Sequence, residues 1–345
     1  MHGLDGGRIV FALGVLLAAP GAVLAEDGDP ALVATTPHFA FYSDFETNLN
    51  DALVVAGIAR KRDRPELFGS GSEAESCFAE LPGSARTGWS LAVDYYADIV
   101  SPAGWMGRQQ FLLRFDLAGF DGELDERART YAGIAQGFRM AAAPAYRACR
   151  WTSQDAENRR WIDAVNRRLA LHEEAIGKRL EQLYATPWHS LPIRVDVVPT
   201  APWEGANAWT EPAHVLLSSA TADGDALEIV FHEGSHTLMR PQDPIMRALA
   251  ETARELGIEQ ERLGDLWHVV LFYTTGQAVR GVLEEAGEPG YTYYIDAHDL
   301  WRGSWGRFRE PIESTWPPYL DGDRTLSEAA ADLLRALGEP GDSGE

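Results

Sequence analysis

The sequence predicts an α+β fold that is mainly helical, with a small mixed sheet packed on one central helix. Apolar residues recur at helical spacing over most of the chain, whereas only short runs alternate with the period of two that marks a strand. The composition is that of a folded protein, because 45% of the 345 residues are hydrophobic and 10% are aromatic. We therefore expect a sizeable hydrophobic core rather than a disordered or fibrous chain.

The first 25 residues have the pattern of a signal peptide. An apolar run from Ile9 to Ala19 is followed by Val23-Leu24-Ala25, which places small residues at the −3 and −1 positions of a cleavage site. This predicts export, with a secreted or periplasmic mature protein that begins after Ala25. The alternative is an uncleaved membrane anchor, since the run is only slightly shorter than a span. No later segment has 18 uninterrupted apolar residues, so we expect no stable membrane span in the mature chain.

The chain has two cysteines, Cys77 and Cys149. In an oxidising compartment the simplest use of such a pair is one structural disulfide. Two buried free thiols are the alternative. Neither cysteine neighbours a histidine in the sequence, which argues against a catalytic thiol.

The charge balance limits the partners of the protein. Asp and Glu total 52 and Lys and Arg total 30, which gives a formal net charge of −22. Such a surface repels phosphate backbones and anionic lipid headgroups. We therefore expect no nucleic-acid partner and no binding to an anionic membrane surface.

The first half of the chain reads as one strand followed by helices, and we assign residues 26–150 to an N-terminal helical part. Residues 39–42 are a predicted strand, and Asp44 is the expected N-cap of a helix over residues 45–60. The further predicted helices span residues 85–100, 109–117, 124–143 (ending before Pro144) and 155–184.

The second half, residues 151–345, begins with the predicted long helix and then changes to strands. Residues 193–198 alternate as a strand, and an extended run follows at residues 214–219 that could pair with an extended peptide. The other predicted elements are a turn at 202–207, a turn at 223–225, a helix from 226, helices over 245–285 with breaks near Gly257 and Gly264, an irregular aromatic stretch at 301–319, and a helix at 326–337.

One motif in this half carries chemistry, the H-E-x-x-H formed by His232, Glu233 and His236. On a helix, residues four apart lie on one face, so both imidazoles can reach one metal ion. Glu233 lies beside that face, where its carboxylate can act on a metal-activated water. Asp225 and Glu228 have the spacing of a capping pair for this helix. Gly234 costs about 1 kcal/mol relative to Ala in a helix, which indicates close packing there.

Two strands followed by a helix with this motif resemble the core of the zincin metallopeptidases, on their gluzincin-like side, with no subfamily assigned. The resemblance covers residues 190–285. It implies a bound Zn²⁺, a peptide or protein substrate, and Glu233 as general base. The metzincin extension is absent, because its Gly and His positions hold Met239 and Gln242. The Asn-Glu-x-x-Ser-Asp-like string that carries the third ligand of gluzincins is also absent.

The third metal ligand is therefore chosen from the residues that follow. His268 is our first choice, because it lies on a helix that is apolar almost all round, where a buried imidazole needs a partner. Glu251 and Glu284 are the alternatives. For stabilising the oxyanion of the transition state, we select Tyr294 and His298 in the loop after this helix.

These observations predict a secreted or periplasmic zinc-dependent hydrolase, specifically a peptidase, with His232, His236 and His268 as ligands of the metal. The alternative is a non-catalytic zincin-like protein of the cell envelope that binds or scaffolds a partner. The lack of a recognisable third-ligand motif favours this second hypothesis.

Overall fold

A computed structural model describes residues 29–62, 72–100, 126–188, 190–201, 205–210 and 213–338. Four predictions therefore lie wholly or partly outside the described residues: the signal peptide, the helix at 109–117, the start of the helix at 124–143 and the turn at 202–207. The described residues from Ala31 onward form one compact unit. The division at residue 150 stays a prediction.

The described strands are β1 (Leu32–Thr35), β2 (Phe39–Tyr42), β3 (Ile193–Val198), β4 (Ala206–Thr210) and β5 (Ala213–Ser218). They form one mixed sheet with the order β1-β2-β3-β5-β4. The pairs β2–β3 and β3–β5 are parallel, whereas β1 pairs antiparallel with β2 and β4 pairs antiparallel with β5. The small mixed sheet of the prediction is thus confirmed.

The structure corrects three expectations about this sheet. The first half of the chain contributes two strands, β1 and β2, where the sequence predicted one. Residues 206 and 207, predicted to be in a turn, instead begin strand β4. Gly205, directly before it, has a φ of 93°, a conformation that glycine adopts without strain. The run at 214–219 is not a free edge, because β3 and β4 occupy both sides of β5. A peptide therefore cannot pair there.

The described helices of the N-terminal half are α1 (Phe45–Lys61), α2 (Ser72–Glu80), α3 (Gly83–Tyr95, continued by a π-helical turn at Tyr96–Val100), α4 (Glu126–Tyr146) and α5 (Thr152–Tyr184). All of them except α2 correspond to predicted helices. Asp44 caps α1, since its Oδ1 accepts a 2.8 Å hydrogen bond from the Thr47 amide. The predicted disulfide is confirmed, because Cys77 and Cys149 are bonded to each other.

The expected helix end before Pro144 is wrong. Helix α4 continues through Pro144 to Tyr146, and a π-helical turn at Arg147–Trp151 joins it directly to α5. Proline removes one hydrogen bond from a helix, but tertiary packing can offset this loss. Here Ala145 and Tyr146 are fully buried in a cluster of the N-terminal helices, and their burial favours the continued helix.

The C-terminal half is helical, with breaks where glycine has positive φ. Gly257 and Gly264 have φ of 67° and 48°, which confirms both predicted breaks. The stretch at 301–319, predicted to be irregular, instead contains two helices. The helices are α6 (Asp223–Ser235), α7 (Pro244–Glu255), α8 (Gln260–Leu263), α9 (Leu266–Glu285), α10 (Tyr294–Ala297), α11 (Gly306–Thr315), α12 (Pro317–Leu320) and α13 (Leu326–Gly338).

The main hydrophobic core lies on one face of the sheet. Phe39, Phe41, Val195, Val197 and Leu217 point into it, together with residues of α5, α6 and α9. Helix α6 contacts the sheet, α5 and α9, so the helix with the H-E-x-x-H motif is enclosed by the core. Over the described residues, no helix is both long and apolar enough to cross a membrane.

A buried acid in α1 makes the stability of the fold depend on pH. Burial raises the pKa of Asp51 to about 8, and a hydrogen bond with Thr200 opposes this shift. A raised pKa means that the folded state favours the neutral acid. The stability that Asp51 contributes is therefore full below its unfolded pKa and is lost as the pH rises through about 8.

Asp51→Asn should flatten this pH dependence. We expect the free energy of unfolding of the wild type to fall relative to the variant from about pH 5 to about pH 8, by at most about 1.4 kcal/mol per pH unit. Urea unfolding at several pH values measures the difference. Parallel curves for the two proteins would show that the Asp51 carboxyl keeps its ordinary pKa.

Candidate metal centre

The start of α6 differs from the prediction. The N-cap is Ala222, which offers no side-chain hydrogen bond, and the helix begins at Asp223. Asp225 and Glu228 therefore are not a capping pair. Both have long-range partners, because Asp225 is hydrogen bonded to His298 at 3.0 Å and Glu228 accepts a 2.7 Å hydrogen bond from the Tyr291 hydroxyl. Such tertiary contacts override the local capping pattern.

The end of α6 carries the motif residues. His232 and Glu233 are in its last turn, and His236 begins a 3₁₀ turn, His236–Leu238. His232 is fully buried and Glu233 is 3% exposed, whereas 16% of the His236 side chain is exposed. His268 is also partly exposed, so the site is open on the side of His236 and His268.

The glycine between the motif residues is required by close packing, as predicted. A Cβ on Gly234 would lie 2.9 Å from the Phe39 ring and 3.1 Å from the Trp188 ring. The sheet side of α6 thus approaches two aromatic side chains more closely than any larger residue would allow. This contact fixes the depth of α6 in the core.

His268 in the first turn of α9 completes a group of three histidines. One donor atom from each of His232, His236 and His268 lies within 4.8 Å of the others. The Nε2 atoms of His232 and His268 are 3.2 Å apart, close to the separation of about 3.3 Å expected for two nitrogens on a tetrahedral zinc ion. The alternatives Glu251 and Glu284 are exposed and lie outside this group. The three histidines could hold a metal ion.

The Glu233 carboxylate faces two of these imidazoles without bonding to them. Its Oε1 is 3.9 Å from Nε2 of His232, and its Oε2 is 3.8 Å from Nε2 of His236. Oε2 is buried and has no hydrogen-bond partner among the described residues. Polar atoms at this separation can be bridged by a water molecule.

The electrostatics of the group suit a divalent cation. Burial lowers the pKa of His232 well below its ordinary value, and His236 and His268 lower it further. Burial also lowers the pKa of His236 to about 4, and burial and His236 lower that of His268. All three imidazoles are therefore neutral at physiological pH, the state that binds metals. Burial raises the pKa of Glu233 to about 8, which a cation beside it would oppose.

Three aromatic side chains that we did not predict surround the histidines. The Phe272 ring stacks on His232 with 3.5 Å between centroids. Trp267 stacks on His268 at 4.9 Å, and Trp305 meets the same imidazole edge-on at 5.2 Å. Phe272 follows His268 by one helical turn, so the spacing in α9 could have indicated it. Trp305 comes from a distant segment and could not be found in this way.

The two candidate oxyanion residues have partners outside the three-histidine group. Tyr294 is 1% exposed, and its ring lies nearly parallel to Phe272 at 6.1 Å. The His298 ring stacks on Tyr294 and is hydrogen bonded to Asp225. Neither residue belongs to the three-histidine group. Their catalytic role stays a prediction.

Comparisons with protein-family models, with curated proteins and with solved structures found no match to this chain. Arguments about its function therefore rest on the geometry of the site and on its chemistry.

His268→Ala should weaken metal binding strongly, because it removes one of three nitrogen donors. We expect zinc affinity to fall by more than about 100-fold, since changes behind the ligands alone cost about 10–100-fold. Competition titration against a chromophoric chelator measures it. His172→Asn is the control, because His172 lies on α5 and its partner Glu288 keeps a bond to Arg168. Equal zinc affinity for wild type and His268→Ala would exclude His268 as a ligand.

Proposed function

We propose that the protein is an exported zinc-dependent hydrolase, in particular a peptidase of the zincin type. One observation carries the proposal: the Glu233 carboxylate lies 3.8–3.9 Å from two imidazoles of a three-histidine group in which His232 is fully buried. Three protein ligands with one open position are typical of catalytic zinc, and structural zinc sites usually have four. The nearby acid supplies the general base that hydrolysis requires.

The chemistry divides between the metal and the chain. A zinc ion held by His232, His236 and His268 would lower the pKa of a water molecule to about 7 and would polarise the carbonyl group of a substrate. The Glu233 carboxylate takes the proton of the attacking water and passes it to the leaving amine. His232, His236 and His268 hold their ring nitrogens in place as neutral donors. The aromatic side chains around them exclude bulk water and strengthen electrostatic interactions at the centre.

The edge strand β4 supports a peptide substrate. Among the described strands, β4 pairs only with β5, and it packs against α6 and the 3₁₀ turn that carries His236. An extended peptide could add to its outer edge through main-chain hydrogen bonds.

N-methylation of substrate amides beside the cleaved bond should then lower kcat/KM, because a methylated amide cannot donate a hydrogen bond to β4. An unchanged kcat/KM would contradict pairing with β4.

One finding supports export. The disulfide between Cys77 and Cys149 fits an oxidising compartment. We propose that the segment before Ala25 is a signal peptide and that the mature protein acts outside the cytoplasm.

A second candidate function is a non-catalytic binding or scaffold protein with a zincin-like core. The 3.2 Å contact between His232 and His268 favours it, because two neutral imidazoles at this distance can also be hydrogen bonded to each other. The histidine group would then need no metal. Metal analysis of the gently purified protein separates the two candidates, since only the first requires about one zinc per chain.

Glu233→Gln tests the hydrolase directly. We expect peptide hydrolysis to fall by about 10²–10⁴-fold with zinc content unchanged, because the amide cannot accept the proton. Labelled unfolded casein and a quenched fluorescent peptide library are the substrates, with zinc content measured by mass spectrometry. Glu251→Gln, at an exposed position of α7, is the matched control. Full hydrolysis in the Glu233 variant would contradict the mechanism.

A further inference from the structure

The His232 ring is oriented in an unusual way for a metal ligand. Histidine ligands usually donate a hydrogen bond from their second ring nitrogen, which fixes the ring. The Nδ1 atom of His232 is buried and has no hydrogen-bond partner among the described residues. Among the described residues, the ring is therefore held by packing.

Phe272 and Tyr294 supply this packing. The Phe272 ring lies 3.5 Å from the His232 ring, and their planes differ by 25°. Phe272 is in turn nearly parallel to Tyr294, at 6.1 Å and 19°. Rotation of the His232 ring would require Phe272 to move, and Tyr294 restrains Phe272.

Tyr294 is itself held by an acid on the histidine helix. Oε2 of Glu228 accepts hydrogen bonds from the Tyr294 backbone amide at 3.0 Å and from the Tyr291 hydroxyl at 2.7 Å. Glu228 precedes His232 by one helical turn and is fully buried. The contacts thus run from α6 to the segment after α9 and return through Tyr294 and Phe272 to His232.

The other carboxylate oxygen of Glu228 faces the helix that carries His268. A Cβ on Gly276 would lie 2.9 Å from Glu228 Oε1, and Gly276 follows His268 by about two helical turns. This close approach exists because Gly276 has no side chain. Glu228 therefore also sets the distance between α6 and α9, which carry the three histidines.

We propose that Glu228 is a positioning residue of the metal centre, which fixes the His232 ring through Tyr294 and Phe272 and fixes the spacing of α6 and α9 through Gly276. This inference rests on the metal-binding part of the proposed function. Oε1 of Glu228 has no hydrogen-bond partner in the part of the chain that the structure describes, and burying such a polar atom costs stability. That cost is accounted for if the carboxyl maintains the geometry of the site.

Metal affinity and cobalt spectra of Glu228 variants test the proposal. Glu228→Ala should lower zinc affinity about 10–100-fold and change the visible absorption spectrum of the cobalt-loaded protein, because His232 loses its support. Glu228→Gln should keep the zinc affinity and the cobalt spectrum of the wild type, since its amide oxygen can accept the hydrogen bonds from Tyr291 and Tyr294. Glu284→Gln, at an exposed position of α9, is the control and should match the wild type. Circular dichroism checks that each variant is folded.

Wild-type zinc affinity and an unchanged cobalt spectrum in folded Glu228→Ala would overturn the proposal. The proposal would also be overturned if Glu228→Gln lost as much zinc affinity as Glu228→Ala. If Glu228→Ala does not fold, Tyr291→Phe removes one of the two hydrogen bonds, and an unaltered cobalt spectrum there contradicts the proposal. If the wild-type protein binds neither zinc nor cobalt, the proposed function is refuted. If it binds zinc but does not hydrolyse peptides, the inference on Glu228 still holds.

Discussion

The structure of the site depends on the close approach of α6 and α9, which brings three neutral imidazoles together, one of them fully buried. His232 and His268 have Nε2 atoms 3.2 Å apart, and burial keeps the rings uncharged. Three protonated imidazoles could not share this space, because their charges would repel each other in a medium of low dielectric constant. A divalent cation would convert this cluster from a costly group of buried polar atoms into a coordinated centre.

Two glycines make this approach possible. Gly234 brings α6 against Phe39 and Trp188 on the sheet side, and Gly276 brings α9 against Glu228. A side chain at either position would displace α6 relative to its neighbours. The contacts that set ligand geometry are thus distributed over the core, and the segment with Tyr291 and Tyr294 connects the two helices. Holding metal ligands in place to within a fraction of an ångström requires such rigid support.

Local patterns in the sequence predicted much of this arrangement. The H-E-x-x-H spacing predicted that His232 and His236 lie close together and that a helix carries His232. The apolar surroundings of His268 favoured it over Glu251 as the third member of the group. The pattern could not predict β4, because its strand conformation depends on pairing with β5. It also could not predict the partners of Glu228, since Tyr291 is 63 residues away. Asp225 and Glu228 have the residue types and the spacing of a capping pair, but each is hydrogen bonded to a distant residue instead. Only the tertiary contacts distinguish the two arrangements.

X-ray absorption at the zinc edge of the metal-loaded protein tests the central claim most directly. The account predicts about one zinc per chain, bound by three imidazoles and one oxygen donor with bond lengths of about 2.0–2.1 Å. A zinc ion with only oxygen donors, or a folded protein that takes up no zinc, would contradict the account.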